Sequence, residues 1–151
     1  MIDGAENGIA VTNFDHGGRL GTVRGNLVRN VRPRRPGTGA DGGGLGIAVE
    51  ADSAVTGNVV ENATRAGIRA GWGPYLRNVA VTGNVVRESG IGIAVSVVAG
   101  AGSAVISGNL IAGARQGAII GMEWHKAVTG DLGRAGTERY PQLRISGNQV
   151  S

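Results

Sequence analysis

Both tryptophans, both histidines and four of the eleven carboxylates of this chain fall in four short stretches. The first is "TNFDHGGR", with Phe14, Asp15 and His16; the second is "EAD", with Glu50 and Asp52. The third is "RAGWGPY", with Arg69, Trp72 and Tyr75; the fourth is "GMEWHK", with Glu123, Trp124, His125 and Lys126. These residue types suit sugars and proton transfer. A tryptophan face packs on the apolar face of a sugar ring. An arginine fork pairs with a carboxylate or sulfate. Carboxylates and histidines exchange protons with a reacting group. The catalytic candidates are therefore Asp15, His16, Glu50, Asp52, Arg69, Glu123 and His125. The ligand-binding candidates are Arg69, Trp72, Tyr75, Trp124 and Lys126.

Each has a plainer reading. Trp72 and Tyr75 can cover an apolar column, with Gly71, Gly73 and Pro74 as turn residues. The histidines can be loop hydrogen-bonders. Glu50 and Asp52, at alternating strand positions, are expected to point the same way, as a solvated edge or a minimal Ca²⁺ site. Two oxygen ligands are too few to assign a metal, and no other cofactor is implied. Arg69 can be one half of an ion pair.

What places these residues together is an internal repeat, the first thing to test in a chain of this kind. Gly-Asn occurs at Gly25-Asn26, Gly57-Asn58, Gly83-Asn84, Gly108-Asn109 and Gly147-Asn148. Three residues before each Asn stands Val23, Val55, Val81, Ile106 or Ile145; two residues after it, Val28, Val60, Val86, Ile111 or Val150. A second unit, Gly followed by a small apolar strand, starts at Gly8, Gly46, Gly67, Gly92 and Gly117. The expected fold is all-β: a single right-handed parallel β-helix of about five turns spanning residues 1–151. Successive turns stack about 4.8 Å apart. The valines then form interior columns, the chain bends at Gly-Asn, and Asn26, Asn58, Asn84, Asn109 and Asn148 form a side-chain ladder.

Composition agrees. Two Trp, two Tyr and one Phe cannot build a core of large side chains, whereas 29 glycines and many Val and Ile suit short strands. No window of helical period is long enough to indicate a helix. Insertions are expected at 12–21, 31–44, 71–78, 96–103 and 121–142. All but 31–44 lie at one corner, after the "GIAV" strand, and this corner carries the rare residues. The second turn is short there and leaves a notch. Turns one, three and five lie two rungs, about 10 Å, apart, a spacing that suits subsites along an extended ligand. The excursion 121–142 is expected to fold over this groove as a lid. A competing surface is the outward strip of Ala10, Ala48 and Ala94, in whose column Arg69 and Ile119 are also placed.

The net charge is +4, from fourteen Arg and one Lys against eleven acids. Arg29, Arg32, Arg34 and Arg35 cluster around one insertion, but no nucleic-acid module accompanies them and aromatics are not interleaved. Nucleic acid is therefore not an expected partner; an acidic polysaccharide or anionic envelope surface fits the charge better, and a plain solvated arginine-rich loop fits it best. The chain has no cysteine, hence no disulfide. No apolar run is long enough to span a membrane.

The repeat "GNVVRESGIGIAVS" resembles those of right-handed parallel β-helix proteins of the pectin-lyase-like superfamily. "GWGPYLRNVAVTGNVV" and "GMEWHKAVTGDLGRAGTERYPQLRISGNQVS" resemble the C-terminal part of a bacterial family of twin-arginine-translocated repeat proteins. The resemblance implies export to the periplasm or beyond and a polysaccharide partner, and it carries no catalytic residue over. Arg34-Arg35 is not an export signal, because no apolar segment follows. "GAENGIAV" reads as the tail of an earlier turn, so the chain is expected to be a piece of a longer solenoid. Two function classes follow: a binding solenoid for an envelope glycan, and a polysaccharide lyase, epimerase or glycoside hydrolase at the same corner.

Overall fold

The computed structural model describes residues 1–14, 18–35 and 43–151. Asp15 and His16 lie outside the described residues, as does much of the insertion 31–44. The strands form three sheets. The first contains β1 (Ile2–Asp3), β4 (Leu27–Val31), β7 (Val59–Ala63), β10 (Val85–Arg87), β13 (Leu110–Ala112) and β17 (Gln149–Val150). The second contains β2 (Ile9–Val11), β5 (Leu45–Val49), β8 (Ala66–Ala70), β11 (Ile91–Ser96), β14 (Gly117–Glu123) and β15 (Lys126–Asp131). The third contains β3 (Gly21–Arg24), β6 (Ala51–Thr56), β9 (Arg77–Thr82), β12 (Ala104–Ser107) and β16 (Leu143–Ser146). The chain visits the sheets in rotation, and apart from the antiparallel β14–β15 hairpin neighbouring strands are parallel. This is a parallel β-helix solenoid.

The apolar columns stack in register. Val23, Val55, Val81, Ile106 and Ile145 form one, and Val28, Val60, Val86, Ile111 and Val150 the other. Their central members are fully buried. Each glycine of the Gly-Asn corner takes the left-handed backbone, with φ between 62° and 67°, a region glycine enters freely. The following Asn completes the ladder. Nδ2 of Asn26 donates to Oδ1 of Asn58 at 3.0 Å, and the pattern continues through Asn84, Asn109 and Asn148 at 3.0, 2.9 and 2.9 Å. Asn58, Asn84, Asn109 and Asn148 also donate to the carbonyls of Val23, Val55, Val81 and Ile106. The ladder thereby ties each corner to the turn below it.

The fifth "Gly start" is displaced by one residue from its expected place. Ile91 pairs with Gly117 and Ile93 with Ile119, so Ala118, not Gly117, continues the column of Gly8, Gly46, Gly67 and Gly92. Ile119 consequently faces the interior and is fully buried. The outward column is Ala10, Ala48, Arg69, Ala94 and Ile120. The sequence motif misleads here because "QGAII" offers a glycine one position early.

The excursion after Gly117 does not cover the groove as a lid. β15 folds back on β14 and becomes the outermost strand of the second sheet. Asp131 then caps a short helix, α1 (Leu132–Ala135), accepting from the amides of Gly133, Ala118 and Ile119. Leu132 of that helix is buried in the core cluster. Most of the excursion thus packs on the last turn, and only the hairpin tip, Trp124-His125, reaches the outward face of the second sheet.

Candidate functional site

That outward face is apolar and covered. Leu45, Ala48, Ala66, Ile91, Ala94 and Ile120 form an apolar cluster separate from the interior core. Alanines on the outside of a strand are ordinarily wet; here side chains from the corner and the hairpin tip lie over them. Two adjoining clefts, of about 300 Å³ and about 200 Å³, open above this floor. Ala10, Ala48, Phe14 and Glu50 line the first; Ala94, Met122 and Trp124 line the second. Leu45, Arg65, Arg69, Trp72 and His125 line both, and so form the partition between them. The alanine strip and the loaded corner, expected as competing surfaces, are one surface.

Trp72 is the centre of the partition. β8 ends at Ala70 and the chain turns at Gly71, whose φ is 85° and where a Cβ would meet Leu76. Leu76 is drawn into the core after the short 3₁₀ turn Gly73–Tyr75, leaving Trp72 on the outside. The Arg69 guanidinium lies 4.9 Å from the Trp72 ring centre, within cation–π range. The His125 ring packs on Trp72 at 4.4 Å, and Trp124 meets it edge-on at 5.2 Å. From the opposite end of β8, Arg65 Nη2 reaches His125 Nδ1 at 3.1 Å.

The hairpin tip is held under constraint. Trp124 has φ 53°, in the left-handed region that bulky residues rarely occupy. Its six-membered ring sits directly over Gly73, where a Cβ would overlap it. Trp124 is still 47% exposed, and so is the more exposed of the two tryptophans. Trp72 serves as the post on which Arg69, His125 and Trp124 are set.

The two carboxylates expected to point together are split. Glu50 stands at the corner between β5 and β6, and Asp52, already on β6 of the third sheet, has a left-handed backbone, φ 48°. Glu50 faces the first cleft, where its carboxylate accepts from the Asn13 amide at 3.0 Å and pairs with Arg69 at 3.3 Å. Asp52 instead meets Arg77 at 2.7 Å and the Asn78 amide at 2.9 Å, beside a shallow depression on the third sheet. The Asn78 hydrogen bond, followed by that of Arg77, holds the Asp52 carboxyl below its usual range. The arrangement expected for Ca²⁺ is therefore not formed by these two. Among the described residues no group of three His, Cys, Asp or Glu converges.

The remaining candidates fall around the rim. Tyr75 packs against Phe14 at 4.7 Å and braces the mouth of the first cleft without lining it. Glu123 and Lys126 pair across the base of the hairpin turn, exposed and outside both clefts. Arg65 is the cleft-lining residue that sequence reasoning missed. It sits in the short Thr64-Arg65 turn, away from the insertions, and only its place four residues before Arg69 hints at a shared cleft.

Burial raises the Glu50 carboxyl above the ordinary carboxylate range, against the opposing pull of Arg69 and the Asn13 amide. A raised value means that the folded protein holds this proton more tightly than the unfolded chain does. The resulting contribution to stability is complete below the ordinary value of 4.5 and is lost as pH rises through the folded value. Glu50→Gln removes this dependence. Across pH 4 to 7, the melting temperature of wild type should fall relative to that of the variant. The lowered groups Asp3 and Asp52 act with the opposite sign, but they are common to both proteins and cancel in the difference. Parallel melting curves would assign the raised proton elsewhere.

Comparison with family models, with curated proteins and with solved structures finds no match. The site must therefore be read from its own geometry. Among the described residues no helix is long and apolar enough to cross a membrane.

Proposed function

We propose that this chain is a glycan-binding β-helix that holds an extended polysaccharide or cell-envelope glycan along the outward face of its second sheet. The observation that carries the reading is the paired cleft. An apolar alanine floor, the exposed Trp124 and the cations Arg65 and Arg69 line the two clefts on the outward face of the second sheet, which reach the corner where the insertions concentrate. Aromatic and apolar surface suits sugar rings, and the two guanidinium groups suit a carboxylate, sulfate or phosphate substituent. The resemblance of the repeats to pectin-lyase-like β-helices, and to the twin-arginine-translocated family, supports a polysaccharide partner and export to the periplasm or outside the cell.

An enzyme reading rests on Glu50, whose raised carboxyl beside Arg69 has the character of a general acid or base. A glycosidase needs a second carboxyl about 5 to 9.5 Å away. Among the described residues, Glu50 is the only carboxylate lining the clefts. Binding is accordingly the better-supported function, with a lyase, epimerase or hydrolase as the second reading.

A glycan array probed with the whole chain tests the proposal. Arg65→Ala combined with Trp124→Ala should weaken any glycan captured by at least about tenfold in Kd, or roughly 1.4 kcal/mol. The β-sheet circular dichroism spectrum should remain unchanged. Undiminished capture by that variant would remove the site from this corner. Ultraviolet absorbance of an unsaturated sugar product would instead establish the lyase reading.

A further inference from the structure

The outward face of the first sheet carries two straight rows of side chains. Leu27, Val59, Val85 and Leu110 hold the same place on β4, β7, β10 and β13, one above the other without a slip of register. Leu27, Val59 and Leu110 are exposed and Val85 is half-buried. Gln149 on β17 ends this apolar row. Two residues further along the same strands, and so on the same face, stands the second row: Arg29, Glu61, Arg87 and Ala112. Single apolar residues on a surface need no explanation, whereas a contiguous exposed set marks a contact.

The order of residues in the rows points to the occupant. Along the coil the apolar row reads Leu-Val-Val-Leu, the same in both directions, with its centre between Val59 and Val85. A two-fold axis through that centre, parallel to the strands, sets Leu27 against the partner's Leu110 and Val59 against the partner's Val85. A contact built on such an axis must be complementary to itself, and the charged row meets that demand. The same axis brings Glu61 opposite the partner's Arg87, and Arg87 opposite the partner's Glu61. Moving the axis onto the Val59 strand would oppose Glu61 to the partner's Glu61. Moving it onto the Val85 strand would oppose Arg87 to the partner's Arg87. Like charges set face to face are disfavoured, so the charged row selects the register in which the apolar row is symmetric.

The remaining charges fit this register. Arg29 falls opposite the partner's Ala112, and its own chain neutralises it through Asp3 at 2.9 Å. Glu61 and Arg87 lie 3.7 Å apart within one chain, on solvent-facing side chains. A long surface pair of this kind is weak and leaves both groups able to bond across the contact.

We propose that the outward face of the first sheet is a self-association surface, on which two copies of this chain pack with their coils antiparallel. Leu27, Val59, Val85 and Leu110 form its centre, and two Glu61–Arg87 pairs flank them. The clefts lie on the second sheet, so the proposal does not rest on the glycan reading. Two rows about 7 Å apart and four rungs long are small beside the roughly 1,600 Å² of a standard interface. The dimer is therefore weak, with a Kd between about 1 µM and 1 mM.

Sedimentation equilibrium of the whole chain from about 10 µM to about 1 mM tests it. The weight-average mass should rise with concentration toward that of two chains. Glu61→Arg and Arg87→Glu each oppose like charges and should raise Kd at least about tenfold. The two exchanges together put opposite charges back at both contacts and should restore association. Because the chain has no cysteine, a short bis-maleimide cross-linker can then read the register. Leu27→Cys mixed with Leu110→Cys should give a cross-linked dimer. Neither variant alone should do so, since its two copies would lie three rungs, about 14 Å, apart along the coil. Both leucines are exposed, so the β-sheet circular dichroism spectrum should not change. A monomeric mass throughout the range overturns the proposal. So does cross-linking of Leu27→Cys alone, which would mean coils packed parallel, and so do single exchanges without effect or a double exchange that fails to restore the dimer.

Discussion

Val81→Asp is expected to abolish folding: the purified variant should show no cooperative melt and should elute as aggregate or unfolded chain. Val81 is fully buried in the column between Val55 and Ile106. Replacing it removes a buried side chain that contributes about 1.5 to 3 kcal/mol. It also places a carboxyl where no partner exists, and the effective penalty for an unpaired buried ion is several kcal/mol. Together these approach the whole stability of an ordinary domain, about 5 to 15 kcal/mol. A solenoid turn is held only by its neighbours, so a failure at β9 also separates the turns on either side. Asn84→Ala, one corner away, is the comparison. It removes the acceptor of the Asn58 backbone amide and Nδ2, one of the two donors to Asn109 Oδ1, and the side-chain donor to the Val55 carbonyl. Its cost is of the order of 1 to 3 kcal/mol, a lowered melt and not a lost one. A wild-type melt for Val81→Asp would mean that the side chain points outward.

The ladder and the columns are legible in the sequence because a solenoid writes its stacking as periodicity: the same residue type recurs wherever the same environment recurs. Asn26 to Asn148 follow that rule, and so do the paired valines. The site is less legible because it departs from the rule. Glu50 and Asp52 look like neighbours on one strand, but neither the change of sheet at Glu50 nor the left-handed backbone of Asp52 on β6 can be read from spacing. Tyr75 and Trp72 share a turn, yet Gly71 and Leu76 decide which one lies over the groove. Arg65 joins from a short turn with no insertion to mark it, through a side chain long enough to cross a strand. The hairpin after Glu123 looks like surplus length in the sequence. Its pairing with β14 depends on Asp131 and Thr129 accepting from the amides of Ala118 and Gly121, contacts between residues up to 13 positions apart.

The register correction at Ala118 yields the second large effect. In the column of Gly8, Gly46, Gly67 and Gly92, each glycine lies against the backbone carbonyl of the next turn. A Cβ on Gly92 would stand 2.5 Å from the Ala118 carbonyl oxygen and 2.5 Å from Ile111 Cγ2. Neither can yield easily: one is backbone held in the β11–β14 pairing, the other belongs to a fully buried isoleucine. Gly92→Ala must therefore push β11 and β14 apart or displace the interior column. Overpacking of this kind typically costs about 1 to 3 kcal/mol, and the backbone clash puts this case at the upper end. For a chain of this size that is a fall in Tm of roughly 6 to 12 °C. Ala118 occupies the same column without penalty because β14 is followed by the antiparallel β15 and not by another parallel turn. Ala118→Gly should accordingly cost no more than the usual 0.5 to 1 kcal/mol, roughly, of a glycine in a strand. Thermal melts of the two variants measured together separate crowding from composition. Equal, small shifts for both would show that the column has room at every turn, and the glycines would then need another explanation.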